Sequence, residues 1–154
     1  MPLPMLYHRI GIIISGGQHE KQMGYYWGAV FTVAVIVVVA LMMMNDSKAA
    51  QFSVDDSALN ITCSFGVTVP LDEIQNPELT QDVPQIKTKD NGAGLGSMQK
   101  GQYTLAGGEK ARLYIDKNAP VFIRFSRGGE VYYLSAESED ATRALLKQLQ
   151  AAIG

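Results

Sequence analysis

Apolar residues run without a single charge from residue 24 to residue 44, as GYYWGAVFTVAVIVVVALMMM. About 20 apolar residues in a helix, each rising roughly 1.5 Å, cross the hydrocarbon core of a bilayer. Residues 24–44 are therefore expected to form one transmembrane helix. Val and Ile are middling helix formers in water. In lipid no water satisfies an opened backbone, so a lone segment spans only as a helix. Tyr25, Tyr26 and Trp27 stand at the N-terminal edge of the run. Amphipathic rings settle at the headgroup level, so these three are read as the edge of the membrane anchor.

Beyond the run the pattern changes to alternation. Leu59, Ile61, Cys63 and Phe65 interleave with Asn60, Thr62 and Ser64, the period of a half-buried strand. Phe52 and Val54 form a shorter alternating run, and Asp55, Asp56 and Ser57 between the two suit a turn, which predicts a hairpin. A strand over 67–71 follows Gly66, with Pro70 placing it at an edge or ending it. Residues 75–100 are the least regular, punctuated by Pro77, Pro84, Gly92, Gly94 and Gly96. One or two short strands are expected there, near 78–80 and 84–87, with a mobile tip at 90–97. Strands at 102–106, 110–117, 120–126 and 130–135 are joined by short Gly- or Asn-bearing turns, which predicts an antiparallel meander. A helix closes the chain. Ser138 is its expected N-cap, Glu139 and Asp140 complement its dipole, and Ala141, Leu145, Leu149, Ala152 and Ile153 mark its buried stripe.

The organisation that follows is a tail (1–23), a transmembrane helix (24–44), a linker (45–50) and one domain (51–154). The tail holds an apolar patch, Ile10, Ile12, Ile13 and Ile14, too short to span, and Met23 is an alternative start. Arg9 and Lys21 precede the apolar run and Lys48 follows it. The excess of cations before the run places the N-terminus in the cytoplasm and the domain outside it. A rival to the anchor is a cleaved signal, with Ser47, Lys48 and Ala49 as the processing site; the run is long for a signal's apolar region.

The fold class expected is α+β: about seven short antiparallel strands and one C-terminal helix, as a strongly bent sheet or partly open barrel with the helix at one end. Gly101, Gln102 and Tyr103, then Ala111 to Ile115 as ARLYI, then Val121 to Phe125 as VFIRF, then Tyr132 to Ser135 as YYLS, then the helix ending LLKQL carry a resemblance. On this spacing of strands and aromatics the chain resembles the bacterial pleckstrin-homology-like domains found beside membrane helices. The resemblance covers about residues 52–152 and implies a fold and a membrane context, with no established reaction. It does not imply headgroup binding, because Asp55 and Asp56 occupy the early hairpin where the lipid binders carry basic residues.

After Met44 there are 11 basic and 14 acidic side chains, a net charge of −3. That is not the basic footprint of a nucleic-acid binder. The chain's two histidines, His8 and His19, lie in the tail, so no Ser–His–Asp or Cys–His arrangement and no usual zinc site is expected in the domain. Cys63 is read as a small buried apolar residue. Gly92, Gly94 and Gly96 lack the strand-to-helix context of a phosphate loop. Asn60, Ile61 and Thr62 form a glycosylation sequon with Asn60 outward.

Lys110, Arg112, Arg124 and Arg127, with Lys117 nearby, crowd the last hairpins. They are the candidate contact residues for lipid or a partner, and the alternative is a solvated face balanced by Asp116 and Glu130. No catalytic residue, cofactor or metal is expected. The leading expectation is a non-catalytic membrane-anchored module that binds membrane lipid through its helix and a protein partner, or a second copy, through an exposed strand edge. The alternatives are a lipid-headgroup or small-ligand module using the basic face and the 92–101 loop, and an enzyme built on paired carboxylates.

Overall fold

The computed structural model describes the backbone of residues 17–154 and the side chains from Tyr26 onward, except those of Asn45 and Asp46. The expectations placed on residues 1–16 and on the side chains of His19, Met23 and Tyr25 lie outside the described residues. The chain divides into two units, Met1–Ala40 and Leu41–Gly154.

Helix α1 spans Gly17–Asp46, 30 residues. Its segment Tyr26–Met44 has a mean hydropathy of 2.5 and is exposed along its length. A helix this apolar on all sides has no hydrophobic stripe to dock on a soluble core. Thr32 stays compatible with it because its hydroxyl donates to the Gly28 carbonyl one turn back, at 2.9 Å. Asn45 and Asp46, expected in the linker, still belong to the helix. The link to the first strand shrinks to residues 47–50.

The domain holds nine strands in two sheets, more than the seven expected, and the larger sheet does not close into a barrel. β1 (Gln51–Val54), β2 (Ala58–Thr62) and β3 (Val67–Pro70) form the small antiparallel sheet in that order. The predicted hairpin is present. The Asp55 carboxylate accepts from the backbone N–H of Ser57 and Ala58, at 2.9 and 2.8 Å, and so builds the turn itself. β3 is an edge strand ending at Pro70, as its proline required. Cys63 is a correction: β2 stops at Thr62, and Cys63 sits half-buried in the following turn, packed against the core.

After a single 3-10 turn, Leu71–Glu73, the large sheet begins with β4 (Gln75–Thr80), β5 (Ile86–Leu95) and β6 (Met98–Leu105). The stretch 90–97 forms the end of a long hairpin, β5 being ten residues. Its glycines explain this. Gly92 and Gly101 are cross-strand partners. A Cβ on Gly101, whose φ is +117°, would lie 2.4 Å from the Asn91 carbonyl oxygen and 2.6 Å from the Gly92 Cα. The two backbones pass closer than side chains permit, beside a register shift between Lys89 and Asn91.

β7 (Lys110–Asp116), β8 (Phe122–Arg127) and β9 (Glu130–Leu134) complete the sheet in the order β4-β8-β9-β7-β6-β5. The expected meander is thus overturned. β8 and β9 form a hairpin, but β9 inserts between β7 and β8 and runs parallel to β7. The reason lies in β9 itself: Val131, Tyr132, Tyr133 and Leu134 are all buried, two on each face. A strand apolar on both faces belongs at the centre of a sheet covered on both sides.

Edge strands β4 and β5 are joined by only five residues, 81–85. A flat six-stranded sheet would hold its edges roughly 24 Å apart, whereas this connection reaches at most about 21 Å. The sheet must therefore bend. Val83 of the connection and Ile86 at the start of β5 pack with Tyr103, Leu105, Leu113, Phe122 and Tyr133, a core on the concave face. The opposite face packs Tyr114, Ile123, Phe125, Tyr132 and Leu134 against Leu59, Ile61 and Val69 of the small sheet.

Helix α2 (Glu139–Ile153) covers this second core with Leu145, Leu146 and Leu149. Ser138 caps it as expected, its hydroxyl accepting from the Ala141 N–H at 3.1 Å. The stripe is shifted from the expected one. Thr142, Leu145, Leu146 and Leu149 are buried, while Ala141, Ala152 and Ile153 are exposed. The Thr142 hydroxyl is buried because it accepts from the Ala136 N–H and donates to the Ser138 carbonyl, at 3.0 and 2.9 Å.

Candidate functional site

The expected basic face does not exist as a single surface. Arg112 lies opposite Tyr132 in the β7–β9 pair, and Arg124 lies opposite Tyr133 in the β8–β9 pair. Consecutive residues of a strand leave opposite faces. Arg112 and Arg124 therefore project from opposite sides of the sheet. Arg127 pairs in register with Glu130 and shares the side of Arg112, as does Lys110 two residues before it. An antiparallel meander would have placed β7 beside β8; the inserted β9 changes the register.

Each of the four cations also has a carboxylate. Lys110 Nζ lies 2.9 Å from Asp90, Arg112 Nε 2.9 Å from Glu130, and Arg124 Nη1 3.3 Å from Glu78. Arg127 donates to Glu73, and its other nitrogen reaches the Tyr132 hydroxyl at 3.5 Å. The Thr104 hydroxyl and then the Lys110 ammonium hold the Asp90 carboxyl below the usual carboxylate range. The Arg112 guanidinium lies 6.0 Å above the Tyr132 ring, which stacks in turn on Phe125 at 4.7 Å. The Tyr114 hydroxyl donates to the Phe65 carbonyl at 2.8 Å, and burial pushes its pKa up to about 12. This side of the sheet is a ladder of alternating charge laid over aromatics, which stitches the β2–β3 turn and the 3-10 turn to the large sheet. Partly exposed pairs of this kind contribute modestly to stability.

Asp55 behaves in the same structural way. Hydrogen bonds from the Ser57 and Ala58 N–H groups, then from the Ser57 hydroxyl and Asn60 amide, lower its pKa from 3.8 to about 2. The folded value lies below the unfolded one, so this contribution is present above about pH 4 and lost as pH falls through about 2. Asp55→Asn is accordingly expected to flatten the acid limb of the stability curve between those limits, measured by urea denaturation from pH 5 to 2. An unchanged limb would refute the assignment. Asn60 donates to the same carboxylate at 2.8 Å, so the amide nitrogen that a glycan would occupy is already engaged.

Gly92, Gly94 and Gly96 form no phosphate loop: the first two lie within β5 and the third in the turn after it. Among the described residues, no group of three His, Cys, Asp or Glu side chains is placed to hold a metal.

Two concave features were not anticipated. One is a cavity of about 550 Å³ formed by the 81–85 connection, the start of β5 and the ends of β7 and β8, with Val83, Ile86, Ile115, Ala119 and Phe122 in its wall. The other is a groove of about 310 Å³ between β1 and α2, lined by Phe52, Ala136, Ala141, Ala144 and Leu145. The signal for the first was present in the sequence as apolar residues within an otherwise polar stretch, Val83 and Ile86. The second required the docking of α2 on the small sheet.

The fold and these features define an α+β protein with one apolar N-terminal helix. Compared with family models, with curated proteins and with solved structures, the chain finds no match.

Proposed function

We propose that the chain is a non-catalytic, single-pass membrane protein whose β-rich domain contacts a protein, either a partner or a second copy of the chain. Its N-terminus lies in the cytoplasm and its domain outside, on the cation excess of Arg9 and Lys21 over Lys48. The domain belongs to the bacterial pleckstrin-homology-like kind on this reading. Consecutive hairpins that end in an amphipathic helix support that likeness, and the parallel β7–β9 pair is a departure it has to accommodate.

The observation that carries the interaction reading is the edge of β1. Edge strands left open invite pairing with another chain, and proteins guard them with Pro, Lys, bulges and brevity. β3 carries Pro70. β4 carries Pro77 and a register shift beside the positive-φ Asn76. β5 carries Lys87 and Lys89 and two register shifts. β1 carries no proline, charge or register shift: Gln51, Phe52, Ser53 and Val54 pair with β2 alone, and α2 packs beside them. The groove beside it, floored by Phe52 and Leu145, offers apolar contact for alternate side chains of an added strand. The headgroup alternative is weaker, because Lys110, Arg112, Arg124 and Arg127 each already hold a carboxylate.

The test is photo-crosslinking in native membranes, with a photoreactive residue at Ser53 and, as control, at Lys87. A discrete adduct from Ser53 and none from Lys87 supports the β1 edge. An adduct at twice the chain mass identifies a second copy, and any other mass identifies a partner. Equal labelling from both positions, or none from Ser53, sinks the proposal.

A further inference from the structure

The cavity at the end of the bent sheet lies away from the β1 edge and takes no part in the reading above. Its position follows from the bend: the 81–85 connection crosses the concave face and leaves space between itself and the ends of β7 and β8. Its volume, about 550 Å³, falls in the range of small-molecule sites, roughly 300–1,000 Å³. Half-buried Val83, Ile86 and Ala119 supply the apolar part of its wall, over the buried Ile115 and Phe122 of the concave core, and Gln81, Asp82, Gln85 and Lys117 supply a polar part. The connection is fixed at its far end, where the Ala106 N–H donates to the Gln85 carbonyl at 2.8 Å. The wall is thus held by backbone pairing.

The rim carries the chemistry. Asp82 and Lys117 both line the opening. Neither forms an ion pair with the other or with any described residue. The Asp82 backbone is held by the Thr80 hydroxyl, which bonds to its N–H and its carbonyl and leaves the carboxylate uncommitted. The Lys117 N–H donates to the Ser97 carbonyl at 2.9 Å, which anchors its backbone while the ammonium stays open. An apolar floor beneath one uncommitted anion and one uncommitted cation is complementary to a molecule with an apolar body and two opposite charges. A simple anion would meet Asp82, and a simple cation would meet Lys117; each costs like-charge repulsion that a zwitterion avoids.

We propose that this cavity binds a small zwitterion with an apolar body, of which a free aromatic or branched amino acid is the simplest form. Its ammonium faces Asp82, its carboxylate faces Lys117, and its side chain packs on Val83, Ile86 and Ala119, directly over Ile115.

The experiment uses the full chain in lipid nanodiscs with labelled isoleucine methyl groups. Ile86 and Ile115 report the cavity, and Ile61 and Ile123, in the other core, serve as internal controls. Three probes share one apolar body: phenylalanine, its N-acetyl derivative, which is an anion, and its methyl ester, which is a cation. Saturable shifts at Ile86 and Ile115 alone are expected, with phenylalanine binding at least tenfold more tightly than either derivative. Lys117→Gln and Asp82→Asn, both at exposed positions, are expected to weaken phenylalanine at least fivefold each. Ala119→Trp, which fills the cavity, is expected to abolish the shifts while Ile61 and Ile123 keep their positions. If Ala119→Trp perturbs those controls as well, the two rim variants decide. No saturable shift, equal affinity for all three probes, or unchanged affinity in both rim variants would overturn the proposal.

Discussion

Gly101→Ala is expected to destabilise the domain by about 3 kcal/mol or more, a large share of the 5–15 kcal/mol available to a typical domain. Two costs combine. A non-glycine residue at φ +117° is strained, at roughly 1–3 kcal/mol. The new methyl group would also fall 2.4 Å from the Asn91 carbonyl oxygen, and relieving such an overlap by moving backbone costs a similar amount. The β5–β6 hairpin cannot yield cheaply, because its partner at the contact is the Cα of Gly92 and not a flexible side chain. Gly107→Ala is the matched control. Nothing lies within 4 Å of its Cβ position, so its effect should stay within about 0.5 kcal/mol. Urea denaturation of both variants checks the prediction. A Gly101→Ala loss no larger than that of Gly107→Ala would mean that the close backbone approach is wrong.

Val35→Asp combined with Val38→Asp is expected to remove the chain from the membrane fraction. Each aspartate near the middle of a spanning helix costs about 2.5–3.5 kcal/mol on insertion scales. The pair therefore offsets the contribution of many of the surrounding valines, which supply only a few tenths of a kcal/mol each. Both positions lie in the segment Tyr26–Met44 and are exposed along the helix. Alkaline extraction of membranes provides the measurement: the wild-type chain stays in the pellet, and the double variant moves to the supernatant. If both stay in the pellet, the domain and not α1 holds the protein there. The mass of the wild-type chain recovered from the pellet separates anchor from cleaved signal, since processing after Ala49 would remove the entire apolar run.

Arg112 and Arg124 looked like one basic surface because each stands between buried positions of its own strand. Alternation along a strand tells which residues share a face within that strand. It does not tell which face of one strand meets which face of another, because that depends on pairing. Once β9 pairs with β7 through Arg112 and Tyr132, and with β8 through Arg124 and Tyr133, the two arginines separate. The glycines at 92 and 101 misled in a similar way. Glycine marks either a free loop or two backbones in close approach, and only the partner across the strand distinguishes them.

The sequence by itself determined the features that depend on neighbours within one or two turns of chain. The apolar helix, the Asp55 hairpin turn, the Pro70 edge and the Ser138 cap are local, because a single segment carries both the cause and the response. The tertiary structure alone decided the order of the strands, the bend of the large sheet, the partners of Arg112, Arg124 and Arg127, and the groove between β1 and α2. These depend on contacts between residues far apart in the chain, such as Glu73 with Arg127 and Glu78 with Arg124. Hydrophobic burial drives those contacts but is non-directional, so the pattern of apolar positions says that faces must meet without saying which ones do.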